Sequence, residues 1–521
     1  MSARIKKIRL INYKRFRDYT IKPNERINIF VGDNESGKST VLEAIDLVTS
    51  GNVHRVEELG LDRLINIKAV QEYLLGEKTF VNLPKMVLEI YLEGDFDYTM
   101  NGKNNLDKET CDGIRLVCEP NIDYQSEIIE ALRSCNDYFP YDYYSIRFST
   151  FADEGYSGYK NKIHCVMIDS SNMNSNYATN DFIARVYDRC TEHNIKERVR
   201  HKSEYRLMRK EFQSNSLKTL NERLAENNKY SFGLKGGNRV DLDRELMIYE
   251  DDIGIDNRGT GKQIFVKADF ALNKAGDNVD VVLIEEPENH LSHVNLRKLI
   301  KKILSNRSGQ LFITTHNSLI STRLELRNLL IMYPEEQETP IMLKDLDEST
   351  AKYFMKAPPA NIVEYALSPK VILVEGPSEY MLLGKFYNYV IGNEPEKDNV
   401  YIICVRGLSF KRYLEVARKT KNKVAVITDN DGDPQKNCYD KYKEYNSDEN
   451  IFVFYERDES KKTFEVLLYE DNAEICEELF GADAQNFMLK NKTESAYELL
   501  NESRPINVPE YIKRAIKWIR E

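Results

Sequence analysis

Four carboxylates in the second half of the chain stand where metal chemistry needs them. Glu375 and Glu379 follow the apolar run Val371-Ile372-Leu373-Val374, and Asp429 and Asp431 follow Val424-Ala425-Val426-Ile427-Thr428. Acidic residues at the carboxyl ends of buried strands are where α/β sheets place active sites. Glu375 opens a helix, and Glu379, four residues on, shares its face. Asp429 and Asp431 are one residue apart and can point the same way. Like charges brought together are costly unless a cation lies between them. Oxygen ligands without Cys or His favour Mg²⁺ or Mn²⁺ over zinc. Two such ions about 4 Å apart activate water and stabilise the leaving oxygen of a phosphodiester. Asp433 is either an extra ligand or a turn residue. A lone D-x-D is a weak signal, because acidic turns are common. A strand-E-G followed by a strand-D-x-D is much stronger.

A second constellation lies near the N-terminus. Gly32-Asp33-Asn34-Glu35-Ser36-Gly37-Lys38-Ser39-Thr40 has the form G-x-x-x-x-G-K-S. It follows the strand-like run Ile27-Asn28-Ile29-Phe30-Val31 and precedes Val41, Leu42, Ala44, Ile45 and Leu47 at helical spacing. That context is what a phosphate-binding loop requires. Gly32 and Gly37 let backbone amides wrap phosphate oxygens. Lys38 brings positive charge to the β- and γ-phosphates, Ser39 offers a hydroxyl to Mg²⁺, and the helix N-terminus adds its dipole. ATP is therefore the expected cofactor. Downstream, Val281-Val282-Leu283-Ile284 leads into Glu285-Glu286-Pro287-Glu288-Asn289-His290. Two carboxylates at a strand end suit metal support (Glu285) and water activation (Glu286). The run Leu311-Phe312-Ile313-Thr314-Thr315 ends at His316, which can reach a γ-phosphate.

This set resembles an ABC-type ATPase head of the SMC, RecF and OLD kind. Asn12-Tyr13-Lys14-Arg15-Phe16 is similar to that group's N-terminal strand motif. Arg258-Gly259-Thr260-Gly261-Lys262-Gln263 is similar to its signature motif, with Thr260 where Ser is usual. The resemblance implies a homodimer in which Gly259, Thr260 and Gly261 of one subunit close over ATP on the loop of another. Glu285 stands where Asp is usual, and the glutamine that senses Mg²⁺ has no evident counterpart, so nucleotide binding is a safer expectation than fast hydrolysis. The second half resembles a Toprim domain. The order of ATPase then Toprim resembles the overcoming-lysogenisation-defect (OLD) nucleases over essentially the whole chain. Lys461-Lys462-Thr463-Phe464-Glu465 and Asn491-Lys492-Thr493-Glu494 are further local likenesses. By resemblance Glu375, Glu379, Asp429, Asp431 and Glu465 hold the metals, and Lys492 stabilises charge on the phosphate. That family includes the nuclease subunit of the Gabija anti-phage system, so a defence role with a partner protein follows by analogy.

The elements that must position these residues read as α/β throughout. The expected architecture is an ATPase head over 1–355 with a helical insertion at about 170–235, then a Rossmann-like Toprim domain over 362–521. Phe182 to Leu224 is highly charged with sparse apolar positions, and reads as inserted helices. The resemblance makes them a dimerisation arm; a helical layer on the same domain is the other reading. Two prolines at Pro358 and Pro359 mark a linker. The tail from Pro509 to Arg520 is an amphipathic basic helix whose apolar face suits packing on the Toprim domain.

Composition bounds the rest. A chain of 521 residues with 41% apolar and 30% charged residues exceeds one ordinary core. Its 32 Tyr and 21 Phe exclude a disordered chain. The eight Cys form no C-x-x-C pair, which argues against zinc and against a disulfide framework. No apolar h-region follows the basic N-terminus and no run approaches a membrane span, so a cytoplasmic protein without membrane contact is expected. At a net charge of −10, DNA binding must rest on local basic patches, for which Lys196 to Lys210 and Lys411 to Lys423 are candidates; a solvated helix face is the plainer reading of each. Double-stranded DNA is the expected substrate. A non-catalytic ATP switch that clamps DNA or a partner is the main rival reading. Strand passage or primase chemistry is a weaker one, since there is no room for a breakage domain and no primase zinc motif.

Overall fold

The computed structural model describes residues 3–134, 138–157, 162–169, 183–184, 186–187, 190–191, 194–225, 232–234, 242, 245–272, 280–305, 309–333, 337–356, 361–405 and 409–521. The chain divides into two compact units. One comprises 1–30, 37–315 and 336–339; the other comprises 31–36, 316–335 and 340–521.

The first unit is built on two sheets. Strands β1 (Arg4–Tyr13) and β2 (Phe16–Ile21) form an antiparallel pair. Strand β3 (Ile27–Gly32), every residue of it buried, runs into helix α1 (Lys38–Ser50). Strands β4 (Met86–Glu93), β5 (Cys111–Pro120) and β6 (Tyr144–Thr150) extend the antiparallel sheet, β1 pairing with β4, β4 with β5, and β5 with β6. Strand β7 (Cys165–Asp169) begins the second sheet. Helix α2 (Ile195–Asn215) follows, and helix α3 (Thr260–Leu272) starts at the signature-like segment. Strands β8 (Val281–Glu285) and β9 (Gln310–Thr314) complete a parallel set in the order β3-β9-β8-β7. β3, β8 and β9 are buried at every position, as strands covered on both faces must be.

The expected helical insertion is described in part. Helix α2 falls inside 170–235, and none of its residues is buried. Residues 170–182 and 226–231 lie outside the described residues, as do Ala357–Ala360 of the expected linker.

In the second unit, β10 (Lys370–Val374) leads into helix α4 (Pro377–Ile391). Strands β11 (Val400–Cys404), β12 (Lys423–Ile427) and β13 (Ile451–Phe454) join β10 in a parallel sheet of order β11-β10-β12-β13. Helices α5 (Phe464–Asp471), α6 (Lys492–Asn501) and α7 (Glu510–Arg520) finish the chain. The tail helix α7 buries Tyr511, Ile512, Ala515, Ile516 and Ile519 in the same core as Ile372, Val374, Leu382 and Phe386. Its amphipathic face is thus a packing face, as its spacing suggests.

Candidate active sites

The phosphate loop has the backbone its sequence asks for. Gly37 caps helix α1 at φ 94°, a left-handed conformation that suits glycine. A side chain there would also stand 2.5 Å from the Phe16 ring. Lys38 is the first residue of the helix and is buried, while Asn34, Glu35 and Ser39 are exposed and Thr40 is half-buried. Ser36 is 1% exposed, and among the described residues its hydroxyl has no hydrogen-bond partner. An orphaned buried hydroxyl in a loop of this form fits a phosphate oxygen as its missing partner.

Register sets the acidic strand end beside the loop strand. Phe30 of β3 pairs with Thr314 of β9, and Thr314 pairs with Glu285 of β8. Glu285 is buried at this carboxyl edge. Glu286 follows at φ 38° and accepts a 2.7 Å hydrogen bond from Asn289 Nδ2. His316, two residues beyond β9, is exposed. The signature-like segment packs against the turn that follows β8. Gly261 lies against the His290 carbonyl so closely that no side chain would fit, and Thr260 opens helix α3. Gly259 meets nothing within 4 Å where a side chain would be. Arg258 donates to the Glu250 carbonyl at 2.7 Å, and Lys262 pairs with the Glu250 carboxylate at 2.8 Å.

In the second unit, four of the expected carboxylates and the lysine come together. Val374 pairs with Ile427, so Glu375 and Thr428 emerge side by side, and Thr428 Oγ1 donates to Glu375 Oε2 at 3.3 Å. Glu379 is the third residue of helix α4 and only 7% exposed. Pro377 starts that helix with its φ preset. Gly376 lets the carboxylate fold back, since a side chain there would stand 2.9 Å from Glu379 Oε2. Asp429 Oδ1 accepts the Phe464 amide at 2.9 Å, which aims the N-terminus of helix α5 at it. Glu465, the second residue of that helix, is 4% exposed and receives Lys492 Nζ at 2.9 Å. Lys492 opens helix α6, whose other end is held by Lys385 Nζ on the carbonyls of Leu499, Leu500 and Glu502 at 2.9, 3.0 and 2.6 Å.

Electrostatics mark the group as a unit. Burial, then the charges of Glu379, Glu375 and Glu465, push the Asp429 carboxyl up to about 8, with Lys492 opposing. Burial, with Glu465 and Glu375 behind it, pushes Glu379 up to about 7. Lys492 is raised even though burial acts to lower it, because Glu465, Asp429 and Glu379 surround it with negative charge. Four acids packed this tightly are poorly matched to their surroundings without a cation, and an all-oxygen donor set fits a hard divalent ion. Among the described residues no group of three or more His, Cys, Asp or Glu side chains stands ready to hold one ion as it is.

Asp431 differs from Asp429. The chain turns at φ 49°, the Asp431 amide donates to the Lys462 carbonyl, and the side chain is exposed. Asp433 caps the following turn by accepting the Lys436 amide at 2.9 Å, the turn role weighed for it. The basic run at 411–423 is engaged locally, Lys411 with Glu444 at 3.0 Å and Arg418 with Asp448 at 2.8 Å.

Asn430 escaped the sequence reading. It is buried, and its Nδ2 donates to the carbonyls of Glu456, Asp458 and Lys461 at 2.9, 2.9 and 3.2 Å. It ties the D-x-D turn to the loop that delivers Glu465. Its place between two aspartates was the available signal.

The comparisons agree with this division. A family model described as "AAA ATPase domain" matches residues 4–115 and 103–320, more than half of the chain. One described as "Overcoming lysogenization defect protein-like, TOPRIM domain" matches residues 367–431, which include Glu375, Glu379, Asp429 and Asp431. Curated relatives include the DNA replication and repair protein RecF of Alkaliphilus oremlandii, 29% identical over 89 residues (17% of this chain, 22% of that protein). The RecF of Clostridium perfringens is 41% identical over 51 residues (10% of this chain, 14% of that protein). The chain spans about a fifth or less of the length of these two relatives. Similar solved structures include the SMC head domain from Thermotoga maritima, 14% identical, covering 63% of this chain and 94% of that one at a TM-score of 0.29. The recombination mediator RecF with ATP is 12% identical and covers 64% of this chain and 98% of that one at a TM-score of 0.33. At those scores the structural likenesses carry no argument. No helix among the described residues is long and apolar enough to cross a membrane. The chain belongs to the AAA ATPase domain family and, with its OLD-like Toprim domain, has the ATPase–Toprim architecture of the OLD family.

Proposed function

We propose that this protein is an ATP-binding, divalent-metal-dependent endonuclease that nicks or cuts DNA, with nucleotide controlling the activity. The observation that carries it is the cluster of Glu375, Glu379, Asp429 and Glu465 beside Lys492 at the carboxyl edge of the Toprim sheet. Mg²⁺ or Mn²⁺, when bound, supplies an activated water and a counter-charge for the leaving oxygen. Glu375, Glu379, Asp429, Asp431 and Glu465 would hold the ions. Lys492 neutralises charge growing on the phosphate, and its helix is fixed at the far end by Lys385. In the ATPase, the loop amides and Lys38 hold the phosphates, Ser39 and Glu285 support the metal, Glu286 orients water, and His316 senses the γ-phosphate.

A homodimer is part of this reading. Ile195, Leu207, Met208 and Phe212 of helix α2 are all at least half exposed, which suits a surface awaiting a second copy. Double-stranded DNA is the proposed substrate, and anti-phage defence with a partner protein is the proposed setting. The rival reading, an ATP switch that clamps DNA without cutting, is favoured by the short RecF matches.

The test is cleavage of supercoiled plasmid and linear duplex with Mg²⁺ or Mn²⁺, with and without ATP, beside Glu375→Ala. Metal-dependent cutting that disappears in the variant supports the nuclease. Cutting that survives in Glu375→Ala would sink it, and DNA binding with no cutting under any condition favours the switch.

A further inference from the structure

The second unit holds a cavity of about 380 Å³ that the proposed nuclease chemistry does not use. This lies within the roughly 300–1,000 Å³ of small-molecule sites. It is bounded by the edge strand β13 and by Cys438 and Tyr439 of a π-helical turn, Gln435–Asp440, a rare element that recurs at functional sites. Much of its wall is aromatic, with Tyr439, Tyr442, Phe452 and Tyr455 among the lining. Arg457 and Arg514 line it as well. Both are exposed, and among the described residues neither has a side-chain ion pair or hydrogen bond. Both lie near the Tyr455 hydroxyl, whose ionisation burial disfavours and the two guanidinium groups favour.

The cavity adjoins the carboxylate cluster. The Cys438 thiol donates to the Asp429 carbonyl at 3.4 Å, and the Tyr442 hydroxyl lies within reach of the Glu375 charge. Tyr442 is 1% exposed, and among the described residues its hydroxyl has no hydrogen-bond partner. A buried hydroxyl left unpaired is costly.

We propose that this cavity takes an unpaired nucleobase from the nucleic-acid strand whose neighbouring phosphate lies at the carboxylates. The inference rests on the nuclease reading and narrows its substrate. Aromatic walls offer a stacking face that any base matches, and the unpaired arginines suit the phosphates on either side. A purely apolar ligand would have no use for them. A base held in a duplex stack cannot enter such a pocket, so the preferred targets are positions where pairing is broken.

The test uses the full chain with Ca²⁺ in place of Mg²⁺ to hold substrate uncut. Two duplexes carry one 2-aminopurine, paired with thymine in one and opposite an abasic site in the other. The unpaired probe is expected to bind about tenfold tighter and to change its fluorescence on binding. Tyr439→Ala should erase most of that preference; Tyr439 is 45% exposed, so its removal leaves the core intact. Equal affinity for the two duplexes overturns the proposal, as does a preference that survives Tyr439→Ala. A free 2-aminopurine nucleotide that competes as well as the strand assigns the cavity to mononucleotides and overturns it too. If the protein cuts DNA with Mg²⁺ yet shows no preference, only the pocket falls. If it neither binds nor cuts nucleic acid, the nuclease reading falls and takes the pocket with it.

Discussion

The phosphate loop and the carboxylate cluster both hold charged oxygen, and they do it by opposite means. The loop is nine consecutive residues, and much of its chemistry is backbone amide and helix dipole, present as soon as the strand and helix form. The cluster draws side chains from segments as far apart as Glu375 and Lys492, and it crowds negative charge into a buried place. The first site is preformed for an anion. The second crowds like charge and, on the proposed reading, gains from a cation. Nucleotide binding should therefore tolerate changes in tertiary packing better than metal binding does.

The largest expected effect is a double dissociation. Lys38→Ala should weaken ATP binding by about 100-fold or more and leave Mn²⁺ binding at the cluster unchanged. Glu375→Ala should weaken Mn²⁺ binding by more than about 100-fold, beyond the loss of a mere outer partner of a metal ligand, and leave ATP affinity unchanged. Equilibrium dialysis with each ligand measures both. If either variant lost both ligands without unfolding, the two regions would not be separate sites.

A smaller effect tests the crowding itself. Gly376→Ala pushes on Glu379 Oε2 and should lower metal affinity about 10-fold while ATP binding holds. The same titrations read it, and an unchanged metal affinity would mean that the Glu379 carboxylate moves clear of the added methyl at little cost.

Acidity sharpens the comparison further. The folded chain keeps protons on Asp429 and Glu379, held up to about 8 and about 7, that the unfolded chain releases near pH 4. The stability this lends is full below that pH and is lost as pH rises through 7 to 8. Metal-free protein should therefore melt at a lower temperature at pH 8 than at pH 5, and added Mg²⁺ should raise the melting temperature more at pH 8. Melting curves at both pH values, with and without Mg²⁺, show this. Saturating ATP, bound away from these two carboxyls, should show little of the same pH trend.

The smallest expected effect is Lys385→Met, which frees the carbonyls at the end of the Lys492 helix. It should lower stability by about 1–3 kcal/mol in urea unfolding, the worth of hydrogen bonds to a charged group.

The same contrast explains what the sequence made legible. A contiguous loop between a buried strand and a helix can be read directly, and β3, β8, β9, β10 and β12 lie where their apolar runs put them. Glu375, Glu379 and Asp429 were visible because strand ends announce them. Asp431 was visible as a residue but not in its orientation, since the turn at φ 49° carries it to the surface. The antiparallel strands β4 to β6 went unread: Met86 to Leu92 is buried throughout and shows no alternation. Asn430 was signalled only by its place between two aspartates, and the aromatic cavity was beyond reach, because only the fold brings residues 438–457 together with Arg514.

The most direct test of the central claim is calorimetric titration of Mn²⁺ into ATP-free protein, beside Glu375→Gln and Glu379→Gln. Saturable binding is expected at pH 8, with release of protons, sharp weakening at pH 6 and loss in both variants. Binding of equal strength in the parent and both variants would contradict the claim.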